Sequence, residues 1–92
     1  GSSLVVPSGG LFVGRSSRCH VVLADPGVSR LHAVFSDVDG SWVYGVGGRA
    51  VTVNGHRVSR ARLEAGDVVL VGEAPFVIAH ERAPGGEGDW VL

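Results

Sequence analysis

The chain contains no lysine, and all eight of its Lys/Arg-type basic residues are arginine. The formal net charge is −1, so no basic surface draws the whole molecule to nucleic acid or an anionic membrane, and recognition of an anion must be local. Aromatic residues make up only 7% of the sequence and lie scattered, which predicts no base-stacking platform and excludes nucleic acid as a partner. The all-arginine composition, rich in glycine, valine and alanine, indicates a bacterial source with GC-rich coding.

Cysteine and long apolar runs are also scarce. The single cysteine, Cys19, excludes an internal disulfide and any multi-cysteine metal site, and it fits a reducing compartment. No apolar run approaches the roughly 20 residues that span a bilayer, and no signal peptide is visible. The four histidines lack the paired spacing of metal ligands. We therefore expect a cytoplasmic protein, or a cytoplasmic domain of a larger one, without membrane insertion, metal or cofactor.

The length of 92 residues allows one domain with a modest core. The leading Gly1-Ser2-Ser3 is interpreted as the remnant of an expression tag. The domain itself is predicted over residues 4–82. Residues 83–92 begin with a Pro- and Gly-rich stretch and end on apolar residues, which predicts a linker or a docked C-terminal segment.

The apolar residues occur in short β-branched runs separated by glycine, proline and aspartate, and no window has a helical period. The chain is therefore predicted to be all-β, and the close, regular spacing of its strands favours a sandwich or barrel. Asn54-Gly55 predicts a tight hairpin. The predicted strands are Leu4–Val6, Leu11–Gly14, His20–Leu23, Ala33–Asp37, Trp42–Gly45, Val51–Val53, His56–Val58, Asp67–Val71 and Phe76–His80.

Catalytic arrangements are not supported by the spacing of the reactive residues. Ser29 and His32 lie three residues apart on one predicted loop, without the Gly-x-Ser-x-Gly elbow of a hydrolase. Cys19 and His20 are neighbours, and adjacent residues of a strand point to opposite faces. We therefore predict that the protein is not an enzyme.

A different chemistry is indicated by Gly14-Arg15, which is followed fourteen residues later by Ser29-Arg30-Leu31-His32. A guanidinium group offers a planar fork of donors, and a serine hydroxyl adds a directional one. Brought together on adjacent loops, Arg15 and Ser29 would form an anion site suited to phosphate.

These motifs, together with Val53-Asn54-Gly55 and the segment from Leu63 to Gly72, resemble the forkhead-associated (FHA) domain in order and spacing. The resemblance implies a sandwich of two antiparallel sheets with about eleven short strands, whose loops at one end read phosphothreonine. It places the phosphate contacts on Arg15 and Ser29, with Arg30 adding a contact. It also implies that Gly14 shapes the arginine's loop and that His32 braces the binding loops.

One segment departs from the family pattern. The family carries Ser-x-Asn-Gly-Thr just before the hairpin, and its asparagine holds the peptide backbone around the phosphothreonine. Counting back from the hairpin, these four positions are Gly47, Arg49, Ala50 and Val51. Arg49 could donate to a phosphate or a peptide carbonyl, but it cannot accept a hydrogen bond from a peptide N–H. The alternative is that Arg49 is a solvated surface residue.

Asn54 itself is assigned to the turn and to loop support, since a type I′ turn needs positive φ at both central residues.

Two functions remain open at this point. The first is a signalling module that binds a phosphothreonine-containing protein, or a segment of its own parent chain, downstream of a Ser/Thr kinase. The second is a degenerate FHA-fold interaction or assembly scaffold that does not need phosphate. Retention of Arg15 and Ser29 favours the first function, and loss of the asparagine favours the second.

Overall fold

The computed structural model describes residues 4–79, which form two packed β-sheets. One sheet has five strands in the order β2-β1-β3-β4-β7, and the other has four in the order β6-β5-β8-β9. The strands are β1 (Leu11–Gly14), β2 (Val21–Val22), β3 (Ala33–Ser36), β4 (Trp42–Gly45), β5 (Val51–Val53), β6 (His56–Val58), β7 (Arg60–Arg62), β8 (Val68–Val71) and β9 (Ala74–Val77). A single 3₁₀ turn, Val46–Gly48, follows β4.

Neighbouring strands pair antiparallel except β1 and β2, which run parallel with Val13 opposite Val21. The connection between β1 and β2 carries Arg15. Two backbone hydrogen bonds stabilise this short connection. Within it, the N–H of Cys19 donates to the carbonyl of Ser16 at 3.0 Å. Just after β2, the N–H of Leu23 donates to the carbonyl of Gly14, the last residue of β1, at 2.8 Å.

The core lies between the two sheets because the strands alternate inward and outward residues. Val13, Phe35 and Val43 of the five-stranded sheet are fully buried and face Val69 and Phe76 of the other sheet. The rings of Phe35 and Phe76 lie 5.3 Å apart between centroids at a tilt of 49°, a separation that stabilises aromatic pairs. The packing of the two sheets holds their end loops in fixed relative positions.

The predicted all-β sandwich is confirmed, but the expected number of about eleven strands is wrong. Residues 4–79 contain nine strands. Leu4–Val6 contributes only an isolated bridge at Val5. The strand Arg60–Arg62 was missed because its Arg-Ala-Arg pattern exposes both arginines and resembles a polar loop.

The last predicted strand, Phe76–His80, is shifted in the structure to Ala74–Val77. Pro75 is tolerated there because β9 is an edge strand of its sheet. His80, the tag remnant at residues 1–3 and the segment 83–92 lie outside the described residues. Within residues 4–79, no helix has the length and apolarity needed to cross a membrane.

Candidate functional site

Gly14 and the two residues after it join two loops that lie far apart in the sequence. The N–H of Arg15 bonds the carbonyl of Ser29, and the N–H of Ser16 bonds the carbonyl of Arg30, each at 3.0 Å. A Cβ on Gly14 would overlap the Arg30 carbonyl and lie 2.8 Å from its carbon. Only glycine permits this close approach of the backbones, so the sequence pair Gly14-Arg15 places Arg15 beside Ser29.

The side chain of Arg15 is exposed, and its Nε donates a short hydrogen bond to the carbonyl of Val28. This bond holds the stem of the side chain against the second loop. A guanidinium group carries five N–H donors. Within residues 4–79, the N–H groups on the two terminal nitrogens of Arg15 make no hydrogen bond, so a ligand can use them.

His32 is 8% exposed and links three segments of the chain. Its Nδ1 accepts the N–H of Ser29 at 3.1 Å, and its Nε2 lies 2.9 Å from the carbonyl of Ala50. Because a carbonyl can only accept, these partners assign the neutral tautomer with the proton on Nε2. The backbone N–H of His32 also donates to the carbonyl of Val13. The backbone and ring of His32 together therefore hold Ser29 in place relative to β1 and to Ala50, which precedes β5.

Arg49 lies against Ser29, although the two residues are twenty positions apart. Its Nε donates to the Ser29 hydroxyl at 2.6 Å, and its Nη1 donates to the carbonyl of Val46 at 2.7 Å. The turn before it takes positive φ at Gly47 (65°) and Gly48 (82°), where a side chain would be strained. The side chain of Arg49 is exposed, but two hydrogen bonds hold its guanidinium group in place.

The arginine cluster is defined here as Arg15, Ser29, His32 and Arg49. Within residues 4–79, the hydrogen bonds of its two guanidinium groups go to uncharged oxygens. The Ser29 hydroxyl accepts from Arg49 and keeps its own O–H to donate. The cluster thus holds two positive charges and a surplus of donors at one end of the sandwich, which is the chemistry an anion requires.

Arg30, which the resemblance adds to the phosphate contacts, lies next to this cluster. Its side chain is exposed, and none of its donors is bonded within residues 4–79. Its backbone carbonyl accepts from Ser16, and from the thiol of Cys19 at 3.4 Å. Arg30 therefore directly follows Ser29 of the cluster with an exposed side chain, and no bond within residues 4–79 fixes its guanidinium group as bonds fix those of Arg15 and Arg49.

Asn54 lies at the opposite end of β5. Its φ of 50° and the φ of 84° at Gly55 are those a type I′ hairpin requires. Its side-chain amide donates to Asp67 Oδ1 at 3.0 Å, while its Oδ1 accepts the N–H of Val68 at 2.9 Å. Asn54 braces the hairpin against β8 and does not contact the arginine cluster.

Asp67 completes that second arrangement, which we name the Asn54 cluster: Asn54, Glu64, Asp67 and Val68. The Oδ2 of Asp67 accepts the N–H of Glu64 at 2.7 Å. The hydrogen bond from the Asn54 amide, and then that from the Glu64 N–H, hold the pKa of Asp67 below its ordinary value, against a smaller opposing effect of burial. Each of these bonds favours the charged carboxylate.

A cleft of about 230 Å³ adjoins the arginine cluster and shares His32 with it. Among the lining residues of this cleft that sequence reasoning did not single out, Arg57 on β6 carries a positive charge. The signal was available, because a two-residue turn at Asn54-Gly55 fixes the register that sets Arg57 opposite Thr52. The lining residues are Gly27, His32, Ala50, Val51, Thr52, Arg57, Leu70 and Gly72.

The reactive pair Cys19 and His20 does not form a joint site. Cys19 is buried against the Arg30 carbonyl, whereas the exposed His20 stacks on Phe12 with ring centroids 5.8 Å apart. Among the residues that the structure describes, no group of three or more His, Cys, Asp or Glu side chains could hold a metal ion.

The fold and the cluster together define a class of protein: a two-sheet β-sandwich whose end loops present two guanidinium groups and a serine hydroxyl. The family model described as FHA domain matches residues 11–72, which is more than half of the chain. The chain therefore belongs to the FHA domain family, whose members are interaction modules rather than enzymes.

Three solved structures show the same relationship. The FHA-2 domain of the Mycobacterium tuberculosis ABC transporter Rv1747 is 32% identical, with a TM-score of 0.66 over 80% of this chain and 70% of that one. Mycobacterium tuberculosis EmbR, solved in complex with a low affinity phosphopeptide, is 27% identical, with a TM-score of 0.68 over 74% of this chain and 19% of that one.

The FHA domain of FhaA, solved in complex with the intracellular domain of Rv3910, is also 27% identical. Its TM-score is 0.64 over 74% of this chain and 77% of that one. No curated protein sequence gives a significant match to the chain.

Proposed function

We propose that this domain is a signalling module that binds phosphothreonine-containing segments through the loops that carry Arg15, Ser29, Arg30 and Arg49. The observation that carries the proposal is the arginine cluster, in which Arg49 Nε lies 2.6 Å from the Ser29 hydroxyl and Arg15 is bonded to the adjoining loop. A phosphate group brings between one and two negative charges and three strong acceptor oxygens at neutral pH. The surplus donors of the cluster match those acceptors.

The expected discrimination follows from the strength of these bonds. A hydrogen bond to a charged group contributes about 1.5–3 kcal/mol net, so each one separates phosphorylated from unmodified ligand by about tenfold to 150-fold. Two such bonds suffice for a binding module that ignores the unmodified segment. His32 and Gly14 contribute by fixing the loops, and neither needs to touch the ligand.

The partner proposed is a phosphorylated protein, or a phosphorylated segment of the parent chain of this domain. EmbR and FhaA support this choice, since the first was solved with a phosphopeptide and the second with a partner domain. A Ser/Thr kinase must supply such a ligand, and we place the interaction in the cytoplasm. The mycobacterial neighbours support the bacterial origin that the arginine-only composition suggests.

The test is a titration of phosphothreonine peptides from an oriented library, with unphosphorylated counterparts, against wild type, Arg15→Ala and Arg62→Ala. Arg62 is an exposed control of equal charge on β7, opposite Trp42 at the start of β4, whereas the arginine cluster lies past the end of β4. We expect phosphate-dependent binding that Arg15→Ala weakens by about 100-fold and that Arg62→Ala leaves within about twofold. Binding by a folded wild type without regard to phosphate would instead favour the scaffold function.

A further inference from the structure

Arg49 is the one polar side chain in the segment that departs from the family pattern. Gly47 has no side chain, Ala50 contributes only a methyl group, and the carbonyl of Ala50 is bonded to His32. The side chain of Val51 is 2% exposed and packs in the core. Any polar side-chain contact that this segment makes with a ligand must therefore come from Arg49.

The chemistry of Arg49 differs from that of an asparagine in one decisive respect. An asparagine side chain both donates and accepts, so it can pair with the N–H and the carbonyl of a peptide. A guanidinium group only donates and carries a permanent positive charge. Arg49 therefore has no means of accepting a peptide N–H, but it can bond phosphate oxygens in the bidentate manner that suits its planar fork.

The position of Arg49 directs that fork to the phosphate site. The guanidinium group is fixed by the 2.6 Å bond from Nε to the Ser29 hydroxyl and the 2.7 Å bond from Nη1 to the Val46 carbonyl. These bonds use two of its five N–H groups, which leaves three for an anion bound at Ser29. The backbone N–H of Arg49 also bonds the Val46 carbonyl at 3.3 Å, which fixes the turn that carries the side chain.

From this geometry we infer that Arg49 is a specificity-determining residue, which makes this domain read the phosphate group in place of the peptide backbone. Its ligand is then an exposed segment that carries phosphothreonine and is recognised through the phosphate. Binding does not need an N–H from the residue after the phosphorylated one. This inference rests on the proposed function and concerns the same site.

The test compares three versions of one peptide: phosphothreonine, unphosphorylated threonine, and phosphothreonine with the following amide replaced by an ester. The ester removes one N–H donor without adding bulk. The proteins are wild type, Arg15→Ala, Arg49→Asn, Arg49→Ala and the control Arg62→Ala, each shown to be folded by its thermal unfolding.

We expect wild type to bind the phosphothreonine and ester peptides within about threefold of each other, since it makes no bond to the N–H that the ester lacks. Arg49→Asn and Arg49→Ala should both lose about tenfold or more in affinity for the phosphothreonine peptide. Arg49→Asn should also become sensitive to the ester, binding it several-fold more weakly, whereas Arg49→Ala should not. Arg62→Ala should behave as wild type.

Two results would overturn the inference while leaving the proposed function in place. One is a loss of tenfold or more when wild type meets the ester peptide. The other is phosphate-dependent binding that Arg15→Ala abolishes and Arg49→Ala leaves unchanged. A folded wild type that binds none of the phosphorylated peptides would overturn both proposals.

Discussion

The two ends of β5 carry polar clusters of opposite design. At the end near Asn54, the Asn54 amide and two backbone N–H groups are matched by oxygens of Asn54 and Asp67. At the end near Ala50, the arginine cluster has donors in excess and two positive charges that bond only uncharged oxygens within the described residues. The first cluster pairs donors with acceptors of the protein, whereas the second keeps guanidinium N–H groups that bond no acceptor within residues 4–79.

The two clusters show how structural polar residues differ from candidate binding residues. A hydrogen-bond network that satisfies itself contributes to stability and fixes a turn. A network that lacks acceptors gains more from a ligand than from the fold. The same side-chain type can therefore differ in role, and Asn54 is structural although it resembles a binding asparagine.

The largest expected effect comes from enlarging the glycine that admits the Arg49 turn. Gly45→Ala would set a Cβ over the Arg49 carbonyl, 2.6 Å from its carbon, and such overpacking against backbone costs about 3 kcal/mol. Gly66→Ala, near the Asn54 cluster, meets nothing within 4 Å and is strained only by its φ of +92°, which costs about 1 kcal/mol. Urea unfolding of both variants measures the difference, and equal losses would contradict the geometry described.

The next effect concerns the histidine that ties the loops of the arginine cluster together. His32→Ala leaves the Ser29 N–H and the Ala50 carbonyl without their partner, and should lower the free energy of unfolding by about 2 kcal/mol. Phosphopeptide affinity should fall as well, because Ser29 loses its support. His56→Ala, which removes an exposed histidine on β6, should change stability by less than about 0.5 kcal/mol; a similar loss there would refute a special role for His32.

Asp67 gives a smaller effect with a distinctive pH dependence. Since its pKa is lowered in the folded state, its contribution is present in full above the unfolded value of about 3.9 and disappears as the pH falls through the folded value. Asp67→Asn should therefore lower the free energy of unfolding by about 1 kcal/mol at pH 7, and by progressively less below about pH 4. Chemical denaturation across that range measures it.

The same variant should bind phosphopeptide as wild type does at pH 7, since the Asn54 cluster lies at the far end of β5 from the Ala50 loop. Weaker phosphopeptide binding by a stable Asp67→Asn protein would show that the two clusters are not independent.

Sequence reasoning recovered the sandwich because strands with β-branched alternation and strong turns are local signals. Asn54-Gly55 set the β5–β6 hairpin without reference to the rest of the chain. The strand Arg60–Arg62 was not recoverable in this way, since it is formed by pairing to β4 with only Ala61 half-buried. Pairing with a neighbour can outweigh the strand preference of the residues themselves.

For the candidate site, the sequence could indicate which residue types suit a phosphate but not which of them meet. Arg15 and Ser29 were predicted as phosphate contacts because a β-sheet alone does not require a glycine-preceded arginine and a loop serine at this spacing. The bond between Arg49 and Ser29 depends on the path of the turn at residues 46–48. Short-range patterns do not fix that path, so the sequence alone did not predict the contact between Arg49 and Ser29.

The most direct test of the contrast between the two clusters is an NMR titration of ¹⁵N-labelled protein with a phosphothreonine peptide. We predict the largest chemical-shift changes at the Nε–H signals of Arg15 and Arg49 and at the backbone N–H of Ser29, with the side-chain amide of Asn54 unchanged. Changes centred on Asn54, or no change at Arg15 and Arg49 while the peptide binds, would contradict the assignment of ligand binding to the arginine cluster.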